Sequence, residues 1–263
     1  MKRFLSRRAI INGGPWFADD ITKDEVDSLL RNCIEGLGSK VIYIETRNFK
    51  SYARFRPVFE ETGFCYEPHY NFVIVTDFVP DVDAIVGKSR KRDAKASLRN
   101  GAIVIENPTP EDVHAFYDIL ADLYEKKVKT PLFCRDFFLK LYGSQFCKYI
   151  LIGYDNQVIG GSVCVFDDES VYEWFVCGKD GIIKNVHPST LATYSAIQFA
   201  VERGYKRFDM MGAGVPGDGG YGVREFKAKF GGELVEYGRF KYVCNPFLYA
   251  MGKVGVKLIK RKS

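Results

Sequence analysis

Residues 148–177 read KYILIGY, DNQ, VIGGSVCVF, DDE, SVYEWFVC: three apolar runs separated by two polar tripeptides. Each run is short and rich in β-branched and aromatic residues, and the tripeptides carry Asp and Asn, which favour turns. The spacing predicts three consecutive antiparallel strands. A sheet meander of this kind must bury at least one face, and the segments around it supply helices to do so. TKDEVDSLLRNCIEGLG opens on a capping box of Thr22 and Glu25 and repeats apolar residues at Val26, Leu29, Leu30, Cys33, Ile34 and Leu37.

KVIYIET and YNFVIVTDF read as strands, with the helix YARFRPVFEETGF between them ending at Gly63. Residues 88–100 read as a basic helix stopped by Gly101. A further helix starts at the Thr109 cap with Pro110 in its first turn, buries Val113, Phe116, Leu120 and Leu123, and closes on Lys126 and Lys127. After the meander, a helix capped by Ser189 or Thr190 buries Leu191, Tyr194, Ile197 and Val201 and ends at Gly204, with His187-Pro188 shaping its start. KRFDMMG and LVEYGRFKYV are predicted strands. The pattern is α/β, a mixed sheet flanked by helices.

Hydrophobic residues form 46% and aromatic residues 15% of the 263, which excludes disorder as the dominant state. No apolar run approaches the roughly 18 residues of a bilayer span, and the basic MKRFLSRRAI lacks the apolar stretch of a secretory leader. The seven cysteines are odd in number and no two lie closer than thirteen positions, so CxxC chemistry is excluded and reduced thiols in a cytoplasmic protein are expected. His69, His114 and His187 have no metal-ligand spacing, and neither metal nor cofactor is expected. The net charge of +5 is concentrated in KSRKRDAKASLRNG and KVGVKLIKRKS. Such blocks are either solvated helix faces or contacts for phosphate: RNA, a nucleotide-activated substrate or an anionic membrane surface.

Residues 211–232, MGAGVPGDGGYGVREFKAKFGG, hold eight of the 25 glycines and then turn basic. Walker, Rossmann and acyl-CoA phosphate loops all fail here, because this stretch has no Gly-Lys-hydroxyl triplet and its basic residues follow the glycines. No GxSxG elbow is present. Arg224, Phe226, Lys227 and Lys229 remain. A lysine just past a glycine turn holds a phosphate or a developing oxyanion as a point charge, which suits direct acyl transfer. Asp209 either bonds loop amides or touches substrate. Tyr221 stacks on a base or sugar, or plugs its loop. Of Glu173 and Trp174, alternation turns one inward: Trp174 fits the core, and Glu173, if it faces a cleft, fits a general base. Glu45 and Arg47 are placed to pair with each other at a strand end.

AIQFAVERGYKRFDMMG, the glycine loop and REFKAKFGG together resemble the C-terminal signature of the Fem-type (FemABX) peptidoglycan aminoacyltransferases, in which a strand ending in Asp-x-x-Gly leads to Phe-Lys-x-x-Phe-Gly. RRAIINGGP, YIETRNF, ETGF, the Arg-rich helix and TPLFCRDFF resemble family segments in the same order. The resemblance implies two acetyltransferase-like (GNAT) domains, a truncated one over 1–85 and a complete one over 86–263, since family members carry roughly fifty further residues ahead of RRAIINGGP. It implies transfer of an aminoacyl group from aminoacyl-tRNA to an amino group of a nucleotide- or lipid-linked peptidoglycan precursor in the cytoplasm. The charge of the basic C-terminus allows peripheral membrane contact, and no DNA partner is expected. Lys227 would stabilise charge at the acyl ester, Phe226 would position the tRNA 3′ end, and Arg135 would match a pyrophosphate-binding arginine. Arg92, Asp209, Tyr221, Arg224, Glu173 and Arg47 complete the candidate substrate contacts. An N-acyltransferase of the same fold using acyl-CoA or another donor, and a catalytically silent binding module, are the alternatives. On this reading Lys227→Met leaves the fold intact.

Overall fold

The computed structural model describes residues 7–217 and 222–261, with side chains described as far as Gly255. Along the chain come β1 (Ala9–Gly13), α1 (Lys23–Leu37), β2 (Tyr43–Asn48), α2 (Arg56–Glu61), β3 (Cys65–Glu67) and β4 (Tyr70–Val75). There follow α3 (Lys88–Arg99), β5 (Ile103–Ile105), α4 (Pro110–Leu123), α5 (Arg135–Tyr142), β6 (Cys147–Tyr154), β7 (Gln157–Phe166) and β8 (Ser170–Gly178). The chain ends with α6 (Pro188–Glu202), β9 (Arg207–Gly212), α7 (Gly222–Ala228), β10 (Glu233–Glu236), β11 (Arg239–Val243) and α8 (Pro246–Arg261). The mixed α/β class is as the sequence predicts. Among the described residues no helix is long and apolar enough to cross a membrane.

Two compact units share this chain, and their division differs from a single boundary near residue 85. Residues up to Tyr70 form the first unit together with Val215–Gly217 and Glu236–Ser263, and the second runs from Asn71 to Gly214 and resumes up to Val235. The reason lies at Gly238. LVEYGRFKYV, expected as one strand, is broken there by a backbone at φ 68°, so β10 joins one sheet and β11 another.

In the first unit the sheet order is β1-β2-β11-β3, with β1 parallel to β2 and β11 antiparallel to both its neighbours. α1 is set by the predicted capping box, Thr22 and Glu25 each accepting from the other's backbone N–H. Its Val26 and Leu30 pack with Ile44, Val58, Phe59 and Phe240, and the Phe59 and Phe240 rings stack at 4.1 Å. A Cβ on Gly238 would meet the Tyr66 ring at 2.2 Å. That ring is held by the Tyr66 hydroxyl donating to Glu236 at 2.9 Å and by Arg56 over its face at 4.2 Å.

In the second unit the order is β10-β4-β9-β8-β7-β6-β5. β6 to β8 form the predicted antiparallel meander, with β5 added antiparallel at its edge, and the β6–β7 turn puts Asp155 and Asn156 both at positive φ, as a tight hairpin requires. Val113, Phe116 and Leu120 of α4 and Phe138 of α5 pack with Leu151, Val163 and Phe175 of the sheet. α6 differs from its predicted single apolar face: besides Leu191, Tyr194 and Ile197, it buries Ala192, Thr193, Ala196 and Ala200, because it lies between the sheet and α3. Its N-cap is His187, not Ser189 or Thr190, with Pro188 in the first turn.

Gly238→Ala would force both a left-handed alanine and a collision with Tyr66. It is expected to cost about 2 kcal/mol or more of unfolding free energy, measured by urea titration. A loss below half of that would show that Tyr66 swings aside freely.

Candidate active site

β8 and β9 run parallel and pair from Ser170/Arg207 to Tyr172/Asp209, after which both continue unpaired with each other. Parallel neighbours that part at their C-terminal ends leave a crevice, the usual ligand position in sheets of this class. Here a cleft of about 500 Å³ opens between Glu173–Gly178 of β8, Met210–Gly212 of β9, Leu120 and Leu123 of α4, and Phe226 and Lys227 of α7.

Lys227 lies at the base of this cleft, 7% exposed. Its ammonium donates to the carbonyls of three successive residues: Met210, Met211 at 3.2 Å and Gly212 at 2.8 Å. An ammonium has three protons, so all are engaged. Burial lowers its pKa to about 8, against the opposing pull of Glu173 and Asp209. Met211 has φ 62°, a left-handed backbone that side chains resist. The Met211 N–H donates to Asp209 Oδ1 at 2.6 Å, and Asn71 Nδ2 donates to the same carboxylate at 2.9 and 3.2 Å. Asp209 therefore bonds the amide of the strand end, one of its two predicted roles, and burial raises its pKa to about 6.

Glu173 is 3% exposed, and burial lifts its pKa to about 7, while Lys227 and Ser162 each pull it down. Ser162 Oγ donates to its Oε1 at 2.9 Å. Its Oε2 and the nearby Thr193 hydroxyl have no hydrogen-bond partner within 3.5 Å. The sequence expectation that only one of Glu173 and Trp174 turns inward fails: both line the cleft. β7–β8 pairing steps from Val163/Phe175 to Cys164/Glu173, so Trp174 is the extra residue of a bulge and strict alternation lapses there. Trp174 packs on Phe133, Phe137 and Phe175.

The fold thus brings Glu173, Phe226 and Lys227 together at the cleft, with Asp209 behind them. Arg224 braces the loop by donating to the Ala213 carbonyl at 2.9 Å. Tyr221 lies outside the described residues. Arg135 is elsewhere in the unit, bonded to Asp118 at 2.5 Å and the His114 carbonyl at 3.1 Å over the Tyr117 ring. Arg47 belongs to the first unit and, as expected, pairs with Glu45 at 2.8 Å. The basic helix α3 spends much of its charge internally: Lys95 and Lys91 bond Asp83, and Arg92 pairs with Asp93 at 3.0 Å. Arg90, a cation of the block read as either a solvated face or a phosphate contact, lies over Phe226 at 4.3 Å and donates to its carbonyl at 3.3 Å and to Thr190 at 3.2 Å. Sequence spacing gave no signal for this, because the contact spans 136 residues.

The FemAB family model matches residues 145–256, from the meander into α8. That match covers less than half of the chain. By structure the chain is similar to FemX, at 14% identity with a TM-score of 0.68, over 92% of this chain and 82% of that one. It is also similar to L-PGS from Bacillus licheniformis, at 14% identity with a TM-score of 0.63, over 97% of this chain and 83% of that one. At such identities the likeness is one of fold. No curated protein matches the chain. The matched stretch contains Glu173, Asp209, Phe226 and Lys227, and so most of the cleft.

Glu173 holds its proton more tightly when folded, at about 7 against an ordinary 4.5. Its contribution to stability is therefore complete below pH 4.5 and is lost as pH rises to 7, because ionisation in place is costly. Glu173→Gln cannot ionise, so its stability relative to the parent is expected to improve between pH 4.5 and 7.5 by on the order of 3 kcal/mol in urea unfolding. A pH-independent difference would mean that Glu173 is solvated.

Proposed function

We propose that the chain is a Fem-type aminoacyltransferase that moves an aminoacyl group from aminoacyl-tRNA to an amino group of a nucleotide- or lipid-linked peptidoglycan precursor in the cytoplasm. The observation that carries this reading is a buried carboxyl and a buried ammonium facing one cleft within the stretch that matches the FemAB family model. The amine attacks the ester carbonyl, forming the C–N bond, and its proton passes to the Glu173 carboxylate. Charge collects on the carbonyl oxygen, where the Lys227 ammonium answers it by releasing its longest bond, the one to the Met211 carbonyl. Collapse breaks the C–O bond, and the ribose oxygen leaves with the proton that Glu173 had accepted. Phe226 offers a flat ring to the 3′-terminal base, held in orientation by Arg90. Arg92, whose side chain is 74% exposed, and Arg135 serve as phosphate contacts.

The decisive assay supplies pools of charged tRNA and candidate amine acceptors and looks for the amide by mass spectrometry. Transfer from an acyl-CoA with none from any charged tRNA would transfer the reading to the acyl-CoA alternative; so would micromolar acetyl-CoA binding in calorimetry, against the millimolar binding expected, about −4 kcal/mol.

Three kinetic outcomes follow from the site. The value of kcat/KM is expected to rise as Glu173 ionises near pH 7 and to fall as Lys227 loses its proton above about 8. Glu173→Gln should remove the rising limb and lower kcat about 10²-fold; an unchanged limb excludes Glu173 as the proton acceptor. Lys227→Met should lower turnover by a similar factor of about 10². Contrary to the sequence expectation, it should also cost at least about 2 kcal/mol of stability, because three carbonyls lose their donor. Full turnover in a folded Lys227→Met protein would remove the lysine from the reaction.

A further inference from the structure

The outer side of α8 is a surface that the cleft chemistry does not use. Asn245 starts this helix by accepting from the Leu248 N–H at 3.0 Å. Tyr249 turns it inward, packing edge-on against Tyr43 at 5.6 Å, with the Lys253 ammonium 4.7 Å from its ring. At about 100° per residue, Phe247, Met251 and Val254 fall within a narrow arc whose centre lies roughly 170° from Tyr249. These three side chains are 73%, 48% and 58% exposed. At Gly252 and Gly255, which lie between this stripe and Tyr249 around the helix, a Cβ would meet nothing within 4 Å, so the flank of the stripe is open as well.

Charge decides what such a stripe meets. Residues 246–263 contain Lys253, Lys257, Lys260, Arg261 and Lys262 and no aspartate or glutamate. A second copy seated on the stripe would bring two such cationic segments together. RNA would satisfy the cations but leave Phe247, Met251 and Val254 facing phosphate and water. An anionic bilayer offers headgroup phosphate to the lysines and hydrocarbon to the stripe at once, and α8 is too short and too charged to cross it. We propose that α8 lies in the plane of an anionic lipid surface, with Phe247, Met251 and Val254 inserted below the headgroups and the lysines among them. The proposal is independent of the transfer reaction, and its test involves no acyl donor or acceptor.

The full chain is sedimented with phosphatidylcholine vesicles with or without phosphatidylglycerol, at low and high salt. Binding to the anionic vesicles is expected to be about tenfold or more stronger than to pure phosphatidylcholine and to weaken with salt. Phe247→Asp/Val254→Asp should reduce it by a further factor of about ten with an unchanged melting temperature. Should the double variant fold poorly, Met251→Ser tests the same stripe with a smaller expected loss. Several outcomes would overturn the proposal. Equal vesicle binding by folded stripe variants would reduce the effect to charge alone, and displacement by soluble glycerol phosphate would identify a site for free phosphate. Stripe-dependent dimerisation in light scattering would assign the face to a second copy, and stripe-dependent tRNA binding would assign it to RNA.

Discussion

One buried ammonium holds the end of a strand in a shape it would not otherwise keep. Lys227 donates to the carbonyls of Met210, Met211 and Gly212, while Asp209 takes the Met211 N–H from the other side. A left-handed methionine costs roughly 1–3 kcal/mol, and such a residue persists only where its surroundings over-determine it. The result is a β9 that turns away from β8 after Asp209, which is what opens the cleft. Site geometry and strand-end geometry therefore share one side chain.

The electrostatics follow from the same burial. Glu173 and Asp209 are both pushed towards their neutral forms, and Lys227 towards its own, yet the lysine and each carboxylate favour one another's charged form. Near neutral pH this leaves a carboxyl close to its midpoint beside an ammonium that is still charged. Proton transfer then needs little driving force in either direction, the condition under which a general acid–base group works best. A solvated Glu–Lys pair would lack this poise, because both groups would be fully ionised.

Much of the fold was legible because its signals are local. The Asp155–Asn156 turn, the Thr22–Glu25 capping box, the Thr109 cap and the alternating runs of the meander each act over a few residues. What escaped depends on pairs far apart in sequence. Asn71 reaches Asp209 across 138 residues and Arg90 reaches the Phe226 carbonyl across 136, and no spacing rule sees either. The bulge at Trp174 was hidden for another reason: a period of two assumes an unbroken register, and register is set jointly with β7. Gly238 looked like a tolerated glycine within a strand, whereas it is where the chain leaves one sheet for the other.

Arg90 shows how a charge count misleads when its geometry is unknown. In sequence it is one of six cations in a short basic helix, and a solvated or phosphate-binding face is the natural reading. In the fold it is half-buried, its guanidinium spread over Phe226 and Phe230 and bonded to Thr190 at the start of α6. Its Nε has no hydrogen-bond partner, a cost the fold accepts to keep the plate of the guanidinium against both rings. α7, only seven residues long, has little stability of its own, so its orientation must come from outside. Arg90 provides that from α3, one residue away from the lysine that shapes the cleft. The basic helix is thus part of what sets the position of the site, and the phosphate-binding role, where it exists, falls to its outward residues such as Arg92.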